Sequence, residues 1–465
     1  MKHNSIIGKV LVLLLLVALV AGCASPATTV PTQAPAESQP QATQAQGGTT
    51  GGQTTGQNLP PVVVAIWSGP EHDNLVKTAG KYEDETGNKV VIEEIARESY
   101  QDKLSTTLVA GSSDYDVLYV SADWTPAWVK AETLAPLNSY IDDPNLNTPN
   151  LKIEDLKPGI DSVTFDGNVY GFPSEGDTAW LFYRKDLLEA NGLQVPETMD
   201  DYLAAAQKLN NPPEIYGTVI GAKADEASWD FMHYFYAFGA QMLDENYNVT
   251  VNSDKAVQAL TFYSDLLRKY QVVPPDVSTY GYNEILTNLQ EGKAAMGVEW
   301  MAATADLTNC EVSPKVCKDG EPLLGYTLVP GMKAADGSVT RGQGASQWAW
   351  VIPQASQNKE AAYTFIEWLV SDPGAKTWAL NGGIPSNTAA LSDPEVVAQV
   401  PQFKLLAEAM PYRHLFPNTT VTPDLVNAFN DAIVAAVAGT KTPQQALDDA
   451  AAKMTESLKS AGYIQ

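Results

Sequence analysis

The chain has 465 residues, with 29 Lys and Arg against 55 Asp and Glu, for a formal charge of −26. That length suits two or three domains, and 44% apolar against 18% charged residues supplies a sizeable core, which excludes wholesale disorder. So acidic a surface repels polyphosphate and excludes nucleic acid as a partner. Three Cys and four His leave little for a dense metal site or a haem attachment motif.

Lys2 and Lys9 flank a short polar start, and Val10 to Ala21 form an unbroken apolar run of 12 residues. About 20 apolar residues are needed to span a bilayer, so this run has the length of a signal-peptide core instead. It ends in Val20-Ala21-Gly22-Cys23, which resembles the bacterial lipobox. The resemblance implies a signal peptide over 1–22 and a lipid-bearing Cys23 that anchors the mature chain. Residues 24–60 are almost all Ala, Pro, Thr, Gln, Ser and Gly, with Glu37 the only charge. Such a segment cannot bury enough apolar surface to order itself, and it reads as a flexible tether with a reach of roughly 30–35 Å.

The folded part opens as alternating α/β. Val62 to Trp67 reads as a buried strand after Pro60-Pro61, followed by helical sequence to about Thr86, where Gly87-Asn88 stops it. Lys89 to Ile95 is β-branched and reads as a second strand. Ser99 with Asp102 fits a capping box, opening a helix whose Tyr100, Leu104 and Leu108 share a face. Gly111 can close that helix, and Val117 to Val120 makes a third strand. The β-α-β-α-β order predicts a parallel sheet with helices on its faces.

Ligands bind such sheets beyond the carboxyl ends of the strands. Past the first strand stand Trp67, Ser68, Gly69, Pro70, Glu71 and His72. Past the third stand Ser121, Ala122, Asp123 and Trp124. Each loop offers an aromatic beside an acid. A pyranose has an apolar face that stacks on an aromatic ring and a rim of hydroxyls that carboxylates hold, so this pairing suits a carbohydrate. Cys310 and Cys317 close a small polar loop, read outside the cytosol as a local disulfide. They lack the C-x-x-C spacing and nearby His of a metal site, and no metal or cofactor is expected.

Further along, Asp166 to Pro173, Leu181 to Leu188, Gly192 and Pro196-Glu197-Thr198-Met199 resemble the family-1 extracellular solute-binding proteins of ABC transporters, the group that includes maltose-binding proteins. Glu291 to Trp300 looks like that family's segment preceding a cleft residue. Val329-Pro330-Gly331, Gly342 to Pro353, Asn358 to Ala362, Gly382 to Ser386 and Thr442 to Leu447 follow in order. The resemblance spans about residues 61–460. Locally, Gly167 and Gly171 bracket a turn and strand that Pro173 ends, Thr198 with Asp201 caps a helix from Met199 to Leu209, and Tyr363, Ile366 and Val370 share a helical face.

The resemblance implies a type II periplasmic-binding-protein-like fold, with two α/β lobes joined by crossing segments near 173–177, 344–348 and 395–410. The first lobe would take 61–174 and 346–400, the second 175–345 and 401–465. It implies a monomeric, lipid-anchored extracytoplasmic protein that closes on a mono- or oligosaccharide and presents it to an ABC permease, with no catalytic residue. Carried over position by position, the ligand candidates are Trp67, Glu71, His72, Asp123, Trp124, Asp177, Trp229, Trp300, Trp348 and Arg413. Trp229 and Asp230 are read as preceding a helix from Phe231 to Met242. Trp128, Trp180, Trp350, Trp368 and Trp378 are read as core. Two rivals remain at this point. The same fold can take a polyol or polyamine, since paired acids with aromatic walls also suit a cation. A secreted glycoside hydrolase needs two carboxylates at a set separation, but H-E-x-x-H, G-x-S-x-G and the P-loop pattern are missing.

Overall fold

The computed structural model describes residues 59–157 and 159–465. The expected signal peptide, lipid-bearing Cys23 and tether up to residue 58 lie outside the described residues. The first strand, β1 (Val62–Trp67), leads into α1 (Pro70–Thr86), which has Pro70 at its start, Glu71 and Asp73 in its first turn, and Gly87 at φ 77° closing its end. Each of these features suits its position: proline lacks the amide that a first turn leaves unpaired, and acids favour the positive end of the helix dipole. Then follow β2 (Val90–Ile95), α2 (Tyr100–Val109) and β3 (Val117–Ser121).

The capping box expected at Ser99 does not form. Arg97–Ser99 make a tight turn of their own, and the Ser99 hydroxyl donates back to the Ala96 carbonyl. Its oxygen therefore never reaches the α2 amides.

Two more strands complete this sheet, β4 (Gly171–Glu175) and β9 (Trp348–Val351), in the order β2-β1-β3-β9-β4. The first three run parallel, as expected, but β9 is antiparallel to both its neighbours. It enters from the other half of the molecule rather than through a helical crossover, so nothing obliges it to run parallel. Pro173 does not end a strand; it lies inside β4, at the sheet edge, where a missing amide breaks no ladder.

The second half is built on a smaller antiparallel sheet. β5 (Ala179–Arg184) sits between β6 (Met296–Trp300) and β7 (Leu324–Leu328). Beyond β6, Val219 bridges Gly297 in parallel. The packing helices are α3 (Met199–Leu209), with the predicted Thr198–Asp201 capping box, α4 (Ala227–Ala237), α5 (Asp254–Arg268) and α6 (Tyr282–Gln290). Trp229 and Asp230 thus belong to the first turn of α4 rather than preceding it, and the helix ends five residues before Met242. The ribbon β8 (Gln343–Gly344) with β10 (Arg413–His414) joins the halves. α7 (Lys359–Val370) packs on the first sheet; α8 (Gln402–Ala409), α9 (Thr422–Ala438) and α10 (Pro443–Ala461) belong to the second half.

Three apolar cores follow this division. One packs Tyr82, Tyr100, Tyr119, Phe365 and Trp350 around the first sheet. A second joins β5 to α3, α4, α5, α9 and α10 through Met199, Phe231, Tyr263 and Phe429. A third holds Trp180, Phe182, Ile285 and Leu289 against Ala379, Ile384, Val396 and Phe403. The five tryptophans read as core are all buried, and Cys310 and Cys317 form a disulfide.

Candidate functional site

The carboxyl ends of β1 and β3 do open together. The Tyr100 hydroxyl sits between the Ala65 carbonyl at 2.9 Å and the Tyr119 carbonyl at 2.6 Å, tying the two strand ends. Above this tie the aromatics gather. Trp67 packs edge-on against Trp348 at 4.1 Å and Tyr119 at 5.4 Å between centroids, and Trp124 meets Trp348 at 5.5 Å. Trp67 is only 5% exposed, so it backs the wall, and the half-buried Trp124 and Trp348 form its face.

Acids line the same wall with their partners in place. The Trp67 indole donates to Glu71 at 3.1 Å, and the Tyr119 hydroxyl donates to Glu175 at 2.8 Å. The Arg97 guanidinium lies over the Trp67 ring at 4.8 Å. Asp123 accepts from the Ser121 hydroxyl, and burial pushes its carboxyl up against that hydrogen bond. His72 turns away and pairs with Asp73 on the exposed side of α1.

The opposite wall comes from the second half. Trp229 on α4 and Trp300 at the end of β6 stand 6.2 Å apart, with Phe416 behind Trp229 at 4.7 Å and His233 edge-on to Trp300 at 4.7 Å. A hollow between the halves is lined by Ser121, Asp123 and Ser162 from the first and by Trp229, Leu415 and Phe416 from the second. Tyr282, at the start of α6, has its phenol pushed up by burial and further by Glu299, Asp177 and Glu71, so it too looks onto acids of both halves.

Asp177 and Arg413 lie at the junction. The Thr178 hydroxyl donates to the Gly344 carbonyl at 2.8 Å, the Ser346 amide to the Asp177 carbonyl at 3.1 Å, and the Ala345 amide to the His414 carbonyl at 2.8 Å. Arg413 adds to this lacework. Its Nη2 donates to the backbone carbonyls of Ser346 at 3.0 Å and Asp177 at 3.3 Å. These donors hold the crossing segments to one another. Burial lowers the guanidinium to about 10, with nearby Asp177 opposing, so it stays charged. Burial raises the Asp177 carboxyl to about 8; the Thr178 amide and Arg413 pull the other way, but Arg413 bonds the Asp177 carbonyl rather than its carboxylate. Gly344 is required here by close approach: a Cβ would stand 2.4 Å from Met232 and 2.8 Å from His233 on α4.

Several buried polar residues of the site were not among the sequence candidates. Glu175 hides behind Tyr119. Asp230 figured only as the neighbour of Trp229. Glu299 is 1% exposed, takes the Trp300 amide on one oxygen at 2.7 Å and leaves the other unpartnered. Asp230 Oδ2 and both His233 ring nitrogens are likewise without partners. Glu299 could have been found: Glu299-Trp300 repeats the acid-beside-Trp pattern of Asp123-Trp124. Among the described residues no group of three side chains is placed to hold a metal ion.

The chain's relatives bear on this geometry. Residues 69–376 match the family described as bacterial extracellular solute-binding protein. The chain is 26% identical over 390 residues to a mannitol-binding protein of Pseudomonas aeruginosa, covering 78% of this chain and 84% of that one. It is 26% identical over 412 residues to a maltooligosaccharide ABC transporter solute-binding lipoprotein of Streptococcus pneumoniae, covering 83% and 89%. An ABC transporter solute-binding protein of Agrobacterium radiobacter K84, solved in complex with ribitol, superposes with a TM-score of 0.73 at 25% identity, covering 86% and 99%.

Proposed function

Because the chain belongs to the family of bacterial extracellular solute-binding proteins, we propose that it captures a carbohydrate or polyol between its two walls and delivers it to an ABC permease. It is a binding protein and not an enzyme, with the family's two-lobed, type II periplasmic-binding-protein fold. The observation that carries the ligand class is a hollow between the halves lined by Asp123 and Trp229, with Trp124 and Trp348 gathered beside the first and Trp300 beside the second. A sugar ring stacks on indole by its apolar face, and Glu71, Asp123 and Asp177 accept from its hydroxyls. The ribitol, mannitol and maltooligosaccharide ligands in the names of its relatives support the same chemistry.

Binding here is a hinge event. We assign 61–174 with β9 and α7 to one lobe and 175–345 with the C-terminal helices to the other. We place the third crossing near 379–391 rather than 395–410, since Ala379, Ile384 and Leu391 pack with Trp180 and Phe182 of β5. Closure over ligand would rotate the walls about the Asp177, Ser346 and Arg413 lacework. Cys23 would carry the lipid and residues 24–60 the tether, holding a monomeric extracytoplasmic receptor at the membrane. Calorimetric titration against mono-, di- and oligosaccharides and polyols tests this reading. Saturable binding without change to the sugar supports it; release of reducing ends, or binding of no member, contradicts it.

A further inference from the structure

The second wall holds a feature that a neutral sugar leaves unexplained. Val219 bridges Gly297 in parallel, so Gly221, two residues on, stands beside Glu299 of β6. The Asp230 carboxyl, from the first turn of α4, presses on the same spot: a Cβ at Gly221 would lie 2.0 Å from Asp230 Oδ2. Both the amide and the carbonyl of Gly221 are occupied by the Tyr263 hydroxyl, at 3.2 and 2.6 Å. Two buried carboxyls therefore converge on a backbone that has nothing left to give them. Asp230 is 7% exposed and Glu299 1%, and each keeps an oxygen with no hydrogen-bond partner.

Such a pair is costly unless something positive or strongly donating completes it. The neighbouring cations are occupied. Lys223 is paired with Glu226 and Asp225, Arg413 is held by hinge carbonyls, and Arg97 lies over Trp67 in the other wall. The other charged groups near the pair, Glu226 and Glu284, are acidic and deepen the negative field. Each orphan carboxyl is also the chain neighbour of a wall tryptophan, Trp229 and Trp300, and indole faces attract cations. A hydroxyl could satisfy one carboxyl. Burial pushes both carboxyls up toward the neutral form as long as no cation joins them.

We infer that the ligand is a polyhydroxylated molecule carrying one protonated amine, an amino sugar or aminocyclitol, and that Asp230 and Glu299 are the acceptors of its ammonium group. This rests on the carbohydrate reading above and narrows it. An ammonium brings a positive charge and three donors to the two free oxygens, whereas the hydroxyls of the same ring remain for Glu71 and Asp123. Simple polyamines lack the ring for the Trp124 and Trp348 wall, so they fit the carboxyl pair alone.

The test uses the full chain and matched pairs of probes: glucosamine, galactosamine and their β-linked trimers, each against its neutral hydroxyl counterpart and its N-acetyl form, with spermidine as a ring-free amine. At least one amine is expected to bind tenfold or more tighter than both its neutral and its acetylated partner. Glu299→Gln and Asp230→Asn, which keep shape and remove charge, should each erase that preference, bringing the amine to within threefold of its neutral partner in the same variant. Far-UV circular dichroism and melting of each variant establish that it is folded. Neutral sugars binding as tightly as amines in every pair would overturn the inference and leave the carbohydrate reading standing. Binding of spermidine alone, or of no sugar at all, would overturn both. An amine preference that survives both variants would place the cation elsewhere and refute the assignment.

Discussion

The two walls of the cleft differ in how their polar groups are satisfied. In the first, every acid close to the aromatics has a protein partner: Trp67 serves Glu71, Tyr119 serves Glu175, and Ser121 serves Asp123. In the second, Asp230, Glu299 and His233 keep buried polar atoms without partners. The first wall is complete as folded, because its rings grip one another at the ends of a five-stranded sheet. The second is finished only by what binds there. Buried polar groups are nearly always satisfied, so the unpartnered carboxyl oxygens of Asp230 and Glu299 mark places where a ligand can supply the bonds.

This contrast is broken most directly by exchanging the roles of two tryptophans. Trp67→Ala should cost about 3–5 kcal/mol of stability, since it empties a buried site packed by three aromatic rings. Trp300→Ala should leave the apo melt nearly unchanged and weaken ligand binding roughly 30-fold or more. Denaturant melts and titrations on both variants give the four numbers needed. If Trp300 proves the stability residue and Trp67 the affinity residue, the assignment of the walls is reversed.

A smaller effect is expected at the junction that both walls share. Arg413→Ala should lower stability by about 1.5–3 kcal/mol, the range for hydrogen bonds from a charged donor. Arg413→Lys should recover part of it, because one ammonium nitrogen can also donate to two carbonyls. Chemical denaturation reads both. A loss of ligand affinity without loss of stability would instead make Arg413 a ligand residue, the role expected from sequence.

The Asp177 carboxyl gives a pH signature at the same place. Burial raises it from 3.8 to about 8 in the fold. The folded state thus holds a proton that the unfolded chain gives up. Its contribution to stability is fully present below about pH 4 and is lost as pH rises through about 8. The slope is at most about 1.4 kcal/mol per pH unit for one proton. Thermal melts from pH 5 to 9 should show this decline, and Asp177→Asn should flatten it. An unchanged slope in the variant would mean that Asp177 is charged in the fold.

The smallest pair contrasts two helix starts. Thr198→Ala should cost about 1 kcal/mol, because the capping box is formed, whereas Ser99→Ala should fall within about 0.5 kcal/mol, because it is not. Equal costs would show that the Ser99 hydroxyl caps α2 in solution after all.

These two helix starts also show what the sequence could express. Thr198 and Ser99 carry the same local signal, and a tight turn at Arg97–Ser99 separates their outcomes; that turn depends on how the chain leaves β2. Strands β1 to β3, α1, α3 and α7 were legible because each has its own apolar period and stop signals. The antiparallel β9 was not, since its direction is set by a crossing from the other half. Trp124, Trp229, Trp300 and Trp348 could be picked out by strand ends and ordered motifs, and they do assemble into walls. The use of Arg413 on backbone carbonyls depends on three segments 67 to 236 residues apart in sequence, so no local pattern announces it. Glu299 was visible in principle, through its tryptophan neighbour, but its missing partner is a property of packing alone.

The most direct test of the account is a ligand-bound crystal structure of the chain with the tightest-binding amine or sugar of the probe series. Ligand nitrogen or oxygen atoms are expected within about 3 Å of Glu299 Oε2 and Asp230 Oδ2, with the Glu71–Trp67 and Glu175–Tyr119 hydrogen bonds unchanged. A ligand held by the first wall alone, with Glu299 and Asp230 still unpartnered, would contradict it.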